Sequence, residues 1–282
     1  MRKLALILSV LLLTGIFLYS LYGNSDSKAA SAELSEGVSM PAVMYHSVLM
    51  DRERTGDYVI TPESLEEDLK YLKSKGYTAV TPKEIADYAD GVGEMPEKPV
   101  LITFDDGHLN NMTYALPLLE KYHMKAVVNV TGAFSVQSEQ ENDPNPSYAY
   151  LTQKDAALLS DGNIFYVGCH TYNMHSLNNR QGASRMDGES VDEYTSAFAD
   201  DTDRWTELFG ESLVYAFPYG LVSKESYPVL ESRGFRIVLT CRETGNVIYG
   251  DGSMRNKLVI VDRYNRSGLV QTDEFMRKAG IM

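Results

Sequence analysis

The sequence predicts an α/β fold: a barrel of about seven or eight parallel strands with helices outside, an open doubly wound sheet being the alternative. Three observations lead there. Strand-like and helix-like segments alternate from Pro41 to the C-terminus. No internal repeat interrupts that alternation. Three polar motifs each follow an apolar run: Thr103-Phe104-Asp105-Asp106-Gly107 after Pro99 to Ile102, His170-Thr171-Tyr172-Asn173-Met174-His175 after Phe165 to Gly168, and Phe217-Pro218-Tyr219-Gly220 after Leu213 to Ala216. The C-terminal strand ends of a parallel sheet gather on one rim, so the three motifs are expected to face one cleft.

The elements follow in order. Arg2 and Lys3 precede an almost unbroken apolar run, Leu4 to Tyr22, long enough to span a bilayer. Residues 1–22 read as a signal anchor or signal peptide, the uncleaved anchor being preferred because Ala30-Ser31-Ala32, the small-residue stretch open to cleavage, lies far from the run. Either way the rest of the chain is expected outside the cell, membrane-anchored or secreted. Residues 23–40 are rich in Ser, Ala, Gly and charge and read as a linker, with the folded domain over 41–282.

Ala42 to Tyr45 reads as a strand ending at His46. Thr61 is an N-cap with Pro62 at the first helical position; Leu65, Leu69 and Leu72 form an apolar stripe, and Gly76 closes the helix. A strand over Tyr77 to Val80 precedes a helix opened by Thr81-Pro82 and running to Tyr88. Pro99 to Phe104 is a buried strand, Tyr114 to Tyr122 a helix and Ala126 to Val130 a strand. Ser135 to Ser147 is polar, carries two prolines and reads as an inserted loop. Lys154 to Leu159 is helical and Phe165 to Val167 extended. Val191 to Phe209 is a long helix with Tyr194, Phe198, Trp205 and Leu208 inward. Leu213 to Phe217, Phe235 to Thr240 and Leu258 to Val261 are strands, Lys224 to Arg233 is a helix ended by Gly234, and Thr272 caps a final helix.

Composition narrows the function. The 282 residues carry a net charge of −13 with no basic stripe, which argues against nucleic acid. Two cysteines, Cys169 and Cys241, are too few for a disulfide scaffold; both follow apolar runs and read as small buried residues.

The motifs carry chemistry only together. Adjacent Asp105 and Asp106 diverge at a strand end where Gly107 permits a turn, so one can bind a metal while the other faces substrate. His170 and His175 are five apart, which fits neither one helix face nor strand alternation; they converge only on an irregular loop. One carboxylate and two imidazoles suit zinc with an open position for water, and cobalt or nickel suit the same donors. Pro218 and Gly220 set a sharp turn that aims the Tyr219 N–H into the cleft, where it serves a developing oxyanion.

In this order the three motifs resemble the NodB-type polysaccharide deacetylases, carbohydrate esterase family 4, over roughly Pro41 to the C-terminus. The resemblance implies an irregular (β/α) barrel and hydrolysis of acetyl groups, usually N-acetyl on glucosamine-type polymers and sometimes O-acetyl on xylan. It implies Asp105 as general base, Asp106, His170 and His175 as metal ligands, and the Tyr219 N–H as oxyanion donor. Three departures stand out: the histidine spacing is five rather than four, Ala216 replaces an Arg that orients the base, and Leu258 to Asp262 lacks the late His that acts as acid. The spacing and Val43-Met44-Tyr45-His46-Ser47-Val48 resemble the poly-N-acetylglucosamine deacetylase subset, making His46 a candidate acid, although a packed or hydrogen-bonded structural histidine is the preferred reading. His108 can also reach the rim, and Asp262 or Arg263 can orient a catalytic group or simply pair. The expected function is metal-dependent N-deacetylation of a polysaccharide, with an O-acetyl esterase or a catalytically impaired glycan-binding module as alternatives.

Overall fold

The computed structural model describes residues 37–282; the expected anchor over 1–22 and most of the expected linker lie outside the described residues. The strands are β1 (Val38–Ser39), β2 (Ala42–Tyr45), β3 (Ser47–Val48), β4 (Val59–Ile60), β5 (Thr78–Ala79), β6 (Pro99–Phe104), β7 (Ala126–Val130), β8 (Phe165–Cys169), β9 (Val214–Ala216), β10 (Ile237–Thr240), β11 (Val247–Ile248), β12 (Val259–Asp262) and β13 (Tyr264–Asn265). The principal helices are α1 (Pro62–Ser74), α2 (Pro82–Ala89), α3 (Leu116–Tyr122), α4 (Gly132–Glu141), α5 (Gln153–Asp161), α6 (Val191–Phe209), α7 (Tyr227–Ser232) and α8 (Thr272–Lys278).

The main sheet runs β12-β10-β9-β8-β7-β6-β2-β13, with β5 added on β6 and every pairing parallel. Its two end strands, β12 and β13, are separated only by Arg263. One continuous stretch thus pairs with β10 in its first half and with β2 in its second, nearly closing the sheet into the expected barrel. Strand side chains alternate between faces. Ala42, Leu101, Val127, Val214, Ala216, Ile237, Leu239, Val259 and Val261 form one buried cluster, the barrel interior. The intervening residues Val43, Tyr45, Ile102, Phe104, Val128 and Val130 pack outward with Leu65, Leu69 and Leu72 of α1. Tyr215, Phe217 and Val238 pack with Tyr194, Phe198 and Trp205 of α6.

Local rules account for most boundaries. The side chains of Thr61, Thr81, Thr152 and Ser190 cap α1, α2, α5 and α6, the last three through reciprocal capping boxes. Gly76 (φ 77) and Gly234 (φ 81) follow α1 and α7 in the left-handed conformation that glycine tolerates.

Several expectations need correction. Val38 and Ser39 pair with β11 and Met40 is fully buried, so the fold already includes the last residues of the linker expected over 23–40. The inserted loop expected over 135–147 begins as helix α4. Its buried face is made of Gly132, Ser135 and Ser138 rather than large apolar residues. Ser135 Oγ donates to the Leu151 carbonyl and Ser138 Oγ accepts from the Tyr150 N–H, so hydrogen bonds replace an apolar stripe. The helix expected from Tyr114 starts with a wider π turn over Asn111–Ala115, and the one expected over 224–233 is a 3-10 turn leading into α7. Thr272 is the first residue of α8, not its cap; its hydroxyl donates to Asp68. Both cysteines are free, Cys169 buried and Cys241 beside Met44.

Candidate active site

The barrel's alternation selects the site. Continuing the inward positions past the strand ends leads from Leu101 and Thr103 to Asp105, from Tyr166 and Gly168 to His170, from Val259 and Val261 to Arg263, and from Ala42 and Met44 to His46. Asn129 holds the same inward position on β7. A parallel barrel therefore delivers a carboxylate, two imidazoles, a guanidinium and an amide to one mouth.

Asp105 is almost fully buried and its two oxygens are held from two sides. Arg263 Nη1 donates to Oδ1 at 2.7 Å and Nη2 to Oδ2 at 2.8 Å, while Asn129 Nδ2 donates to Oδ1 at 2.7 Å. Arg263, itself fully buried, also donates to Thr103 Oγ1 and the Thr240 carbonyl. Burial pushes the Asp105 pKa up, but the charges of Arg263 and His170 outweigh it and hold the carboxyl well below its ordinary range. Gly168 makes the Asn129 contact feasible, since a Cβ there would collide with Asn129 Oδ1.

Asp106 turns away at φ 72, followed by Gly107 at φ 72, whose added Cβ would press on Val130. This turn points Asp106 Oδ1 at two imidazoles, 3.0 Å from His175 Nε2 and 3.6 Å from His170 Nε2. One ligand atom from each of Asp106, His170 and His175 lies within 4.8 Å of the others. The far side of each ring is occupied: His170 Nδ1 meets the Ala216 carbonyl at 2.8 Å, and His175 Nδ1 meets the Tyr219 hydroxyl at 3.2 Å. Donation from His170 Nδ1–H to that carbonyl leaves Nε2 as the free electron pair, the tautomer a metal requires. The donor set fits a tetrahedral cation with one open position. Burial lowers the His170 pKa, but Asp105 and Asp106 reverse this and raise it.

The five-residue histidine spacing closes because the connecting segment is irregular. Thr171 is left-handed at φ 69, and its hydroxyl accepts from the Met174 N–H. Asp201 of α6 accepts from the Tyr172 and Asn173 N–H groups at 2.8 and 2.9 Å, and Trp205 Nε1 donates to the Val130 carbonyl at 2.7 Å. Helix α6 thus ties down the loop that carries His175.

The remaining expected residues lie around this triad. Tyr219 adopts φ 58, so its N–H leaves the helical direction, and its ring is 44% exposed against His175. His46 packs edge-on against Tyr58, with a buried Nδ1 that has no hydrogen-bond partner among the described residues. Burial lowers its pKa, against the pull of Asp106 and Asp105. Asn111 Nδ2 donates to the His46 carbonyl. His108 stacks on Tyr150 at 5.0 Å, Tyr150 contacts Phe134 at 4.6 Å, and Phe134 contacts His175 at 5.4 Å, making an aromatic arc beside the triad. Asp262 does not join the site; Thr240, Arg242 and Thr244 engage it, and Arg242 lies 2.9 Å away. The bonds made by Asn129 and Asp201 were not anticipated. A lone Asn inside Ala126 to Val130, and an Asp between inward Phe198 and Trp205, were the signals available.

Comparison with known proteins bears on the fold and the family. The polysaccharide deacetylase family model matches residues 92–238, just over half of the chain. A Bacillus subtilis protein, YxkH, whose name places it among polysaccharide deacetylases, is 26% identical over 77% of this chain and 70% of its own. A Staphylococcus epidermidis poly-beta-1,6-N-acetyl-D-glucosamine N-deacetylase is 22% identical over 70% of this chain and 66% of its own. Among solved structures, IcaB from Ammonifex degensii shares 26% identity and a TM-score of 0.66 over 87% of this chain and 97% of that one. The Streptococcus pyogenes deacetylase PplD, solved with acetate, has the same fold, with 21% identity and a TM-score of 0.65 over 86% of this chain and 99% of that one. The chain belongs to the polysaccharide deacetylase family.

Proposed function

We propose that this protein is a metal-dependent hydrolase removing N-acetyl groups from a glucosamine-type polysaccharide, working outside the cell behind the apolar segment 1–22. The observation that carries the reading is the juxtaposition of the Asp106, His170 and His175 ligand atoms with a buried Asp105 that Arg263 and Asn129 hold by hydrogen bonds. Asp106, His170 and His175 would hold a divalent cation, zinc suiting the donors best and cobalt or nickel fitting as well. Such a cation supplies Lewis-acid polarisation of the acetyl carbonyl and acidifies a water.

The chain's own groups do the rest. Asp105 takes the water proton; Arg263 and Asn129 aim its carboxylate, and the Arg charge keeps it ionised. The Tyr219 N–H donates to the oxyanion, a contribution of about 3 kcal/mol in comparable sites. His46, at the same barrel mouth, would deliver the proton to the departing amine. Arg263 also weakens the binding-module alternative: the orienting cation that Ala216 lacks arrives from the strand junction between β12 and β13. The names of the staphylococcal relatives favour a β-1,6-linked N-acetylglucosamine polymer as substrate.

The test is acetate release by zinc-loaded and chelated protein from β-1,6-linked N-acetylglucosamine oligomers and from acetylated xylan. Release from the former, abolished by chelation, is expected. Release from xylan alone would make the protein an O-acetyl esterase, and release unaffected by chelation would remove the metal from the reaction.

A further inference from the structure

The fourth imidazole at the barrel mouth, His108, has no role in the reaction described above. It follows Gly107 directly, and its Nε2 sits 3.4 Å from Asp106 Oδ2, the oxygen facing away from His175 and His170. The Asp106 side chain is 20% exposed, and His108 Nε2 is the imidazole nitrogen on the Oδ2 side of it. A carboxylate that gives one oxygen to a cation leaves the other free to be held by a neighbouring donor. The His108 ring is also fixed. It stacks nearly parallel on Tyr150, with 21° between the planes. Its backbone is pinned to the segment after α4, where Leu109 N–H donates to Ala149 O and Leu151 N–H donates to Gly107 O. The imidazole therefore cannot swing away without breaking that stack.

The other two ligand side chains are each held from behind in the same manner, His170 by the Ala216 carbonyl and His175 by the Tyr219 hydroxyl. Outer groups of this kind fix the ligand's orientation, and their loss weakens metal binding. We propose that His108 is the positioning residue for Asp106: its Nε2–H holds Oδ2, so that Oδ1 alone turns to the cation, and the 132–151 segment serves the metal site by holding His108 through Tyr150. The proposal rests on the metal reading given above.

The test is zinc affinity, measured by competition with a chromophoric chelator at fixed pH, alongside thermal melting of the metal-free proteins. His108→Phe keeps a ring on Tyr150 and removes the donor; zinc should bind about 10- to 100-fold more weakly, with metal-free melting unchanged. His108→Gln returns an N–H donor at the same reach and should recover most of that loss. If His108→Phe lowers the melting point, a melt-matched core variant away from the mouth, Leu119→Ala, separates lost stability from lost donation, and equal affinity losses in both would overturn the proposal. Wild-type affinity in His108→Phe would overturn it too. So would a cobalt absorption spectrum whose intensity changes in His108→Gln as though a direct ligand had been lost. Zinc affinity that is the same in wild type and Asp106→Ala would instead overturn the metal reading itself.

Discussion

Asp105 has its charge and direction fixed by one partner above all. Arg263 and Asp105 are both essentially unexposed, and each satisfies the other at two points. Removing one partner of a buried pair strands the other charge, at a cost of about 3–5 kcal/mol. Arg263→Met should therefore lower stability by about that amount, seen as a drop in the urea midpoint, and should also cut turnover. Asp105→Asn should cut turnover by about a hundredfold or more while bound zinc, measured by elemental analysis, stays at the wild-type level. The pH dependence has a definite sign. The folded Asp105 pKa lies below the unfolded value of about 3.9, so its stabilisation is complete above that value and is lost as pH falls toward the folded one. Urea midpoints of metal-free protein between about pH 5 and 2.5 should fall less steeply in Arg263→Met, where burial acts against the carboxylate unopposed. Asp105, Asp106 and His170 were legible in sequence because each follows an apolar run at a strand end, and His175 was expected to reach them only over an irregular loop. Arg263 was ambiguous because its partner lies 158 residues away, and only barrel closure brings the two together.

At the scale of elements, α6 does more than cover the barrel. Its inward residues Tyr194, Phe198 and Trp205 were readable, and its bounds, Val191–Phe209, agree with expectation. Its grip on the His175 loop was not readable, because that grip depends on a single buried acid, Asp201, among apolar neighbours. Burial raises the Asp201 pKa, but the two backbone N–H groups are positioned for the carboxylate. Asp201→Ala should loosen the 171–175 loop and weaken zinc binding about tenfold or more, with helix content unchanged by circular dichroism. Helix α4 shows where pattern reading fails. Its buried residues are glycine and serine, so hydrophobic periodicity is silent, and its packing relies on hydrogen bonds to a segment that only the fold supplies. The ion pair of Asp68 with Arg266, joined by Tyr45 and Thr272, binds α1 and α8 to the strand junction. Arg266→Ala should cost about 3–5 kcal/mol without altering zinc affinity, because the pair is separate from the triad.

Across the whole molecule, one stretch from Val259 to Asn265 closes the sheet and places Arg263 at the mouth. The strand count and parallel order were predictable from alternating segments, since parallel strands need helical crossovers. The partner switch at Arg263 was not, because nothing local marks where a strand leaves one neighbour for another. A ligand that binds only the folded barrel stabilises it, and zinc at a hundred times its dissociation constant should add about 2.7 kcal/mol. That gain should raise the melting temperature by several degrees in wild type and leave His170→Ala unshifted.

The central claim is that Asp106, His170 and His175 hold one cation beside an unligated Asp105. It is tested most directly by an anomalous difference map from crystals soaked in zinc. The expected result is a single strong peak about 2.0–2.2 Å from Asp106 Oδ1, His170 Nε2 and His175 Nε2, with Asp105 still paired to Arg263. A peak ligated by Asp105, or bound zinc with no peak at these three residues, would contradict it.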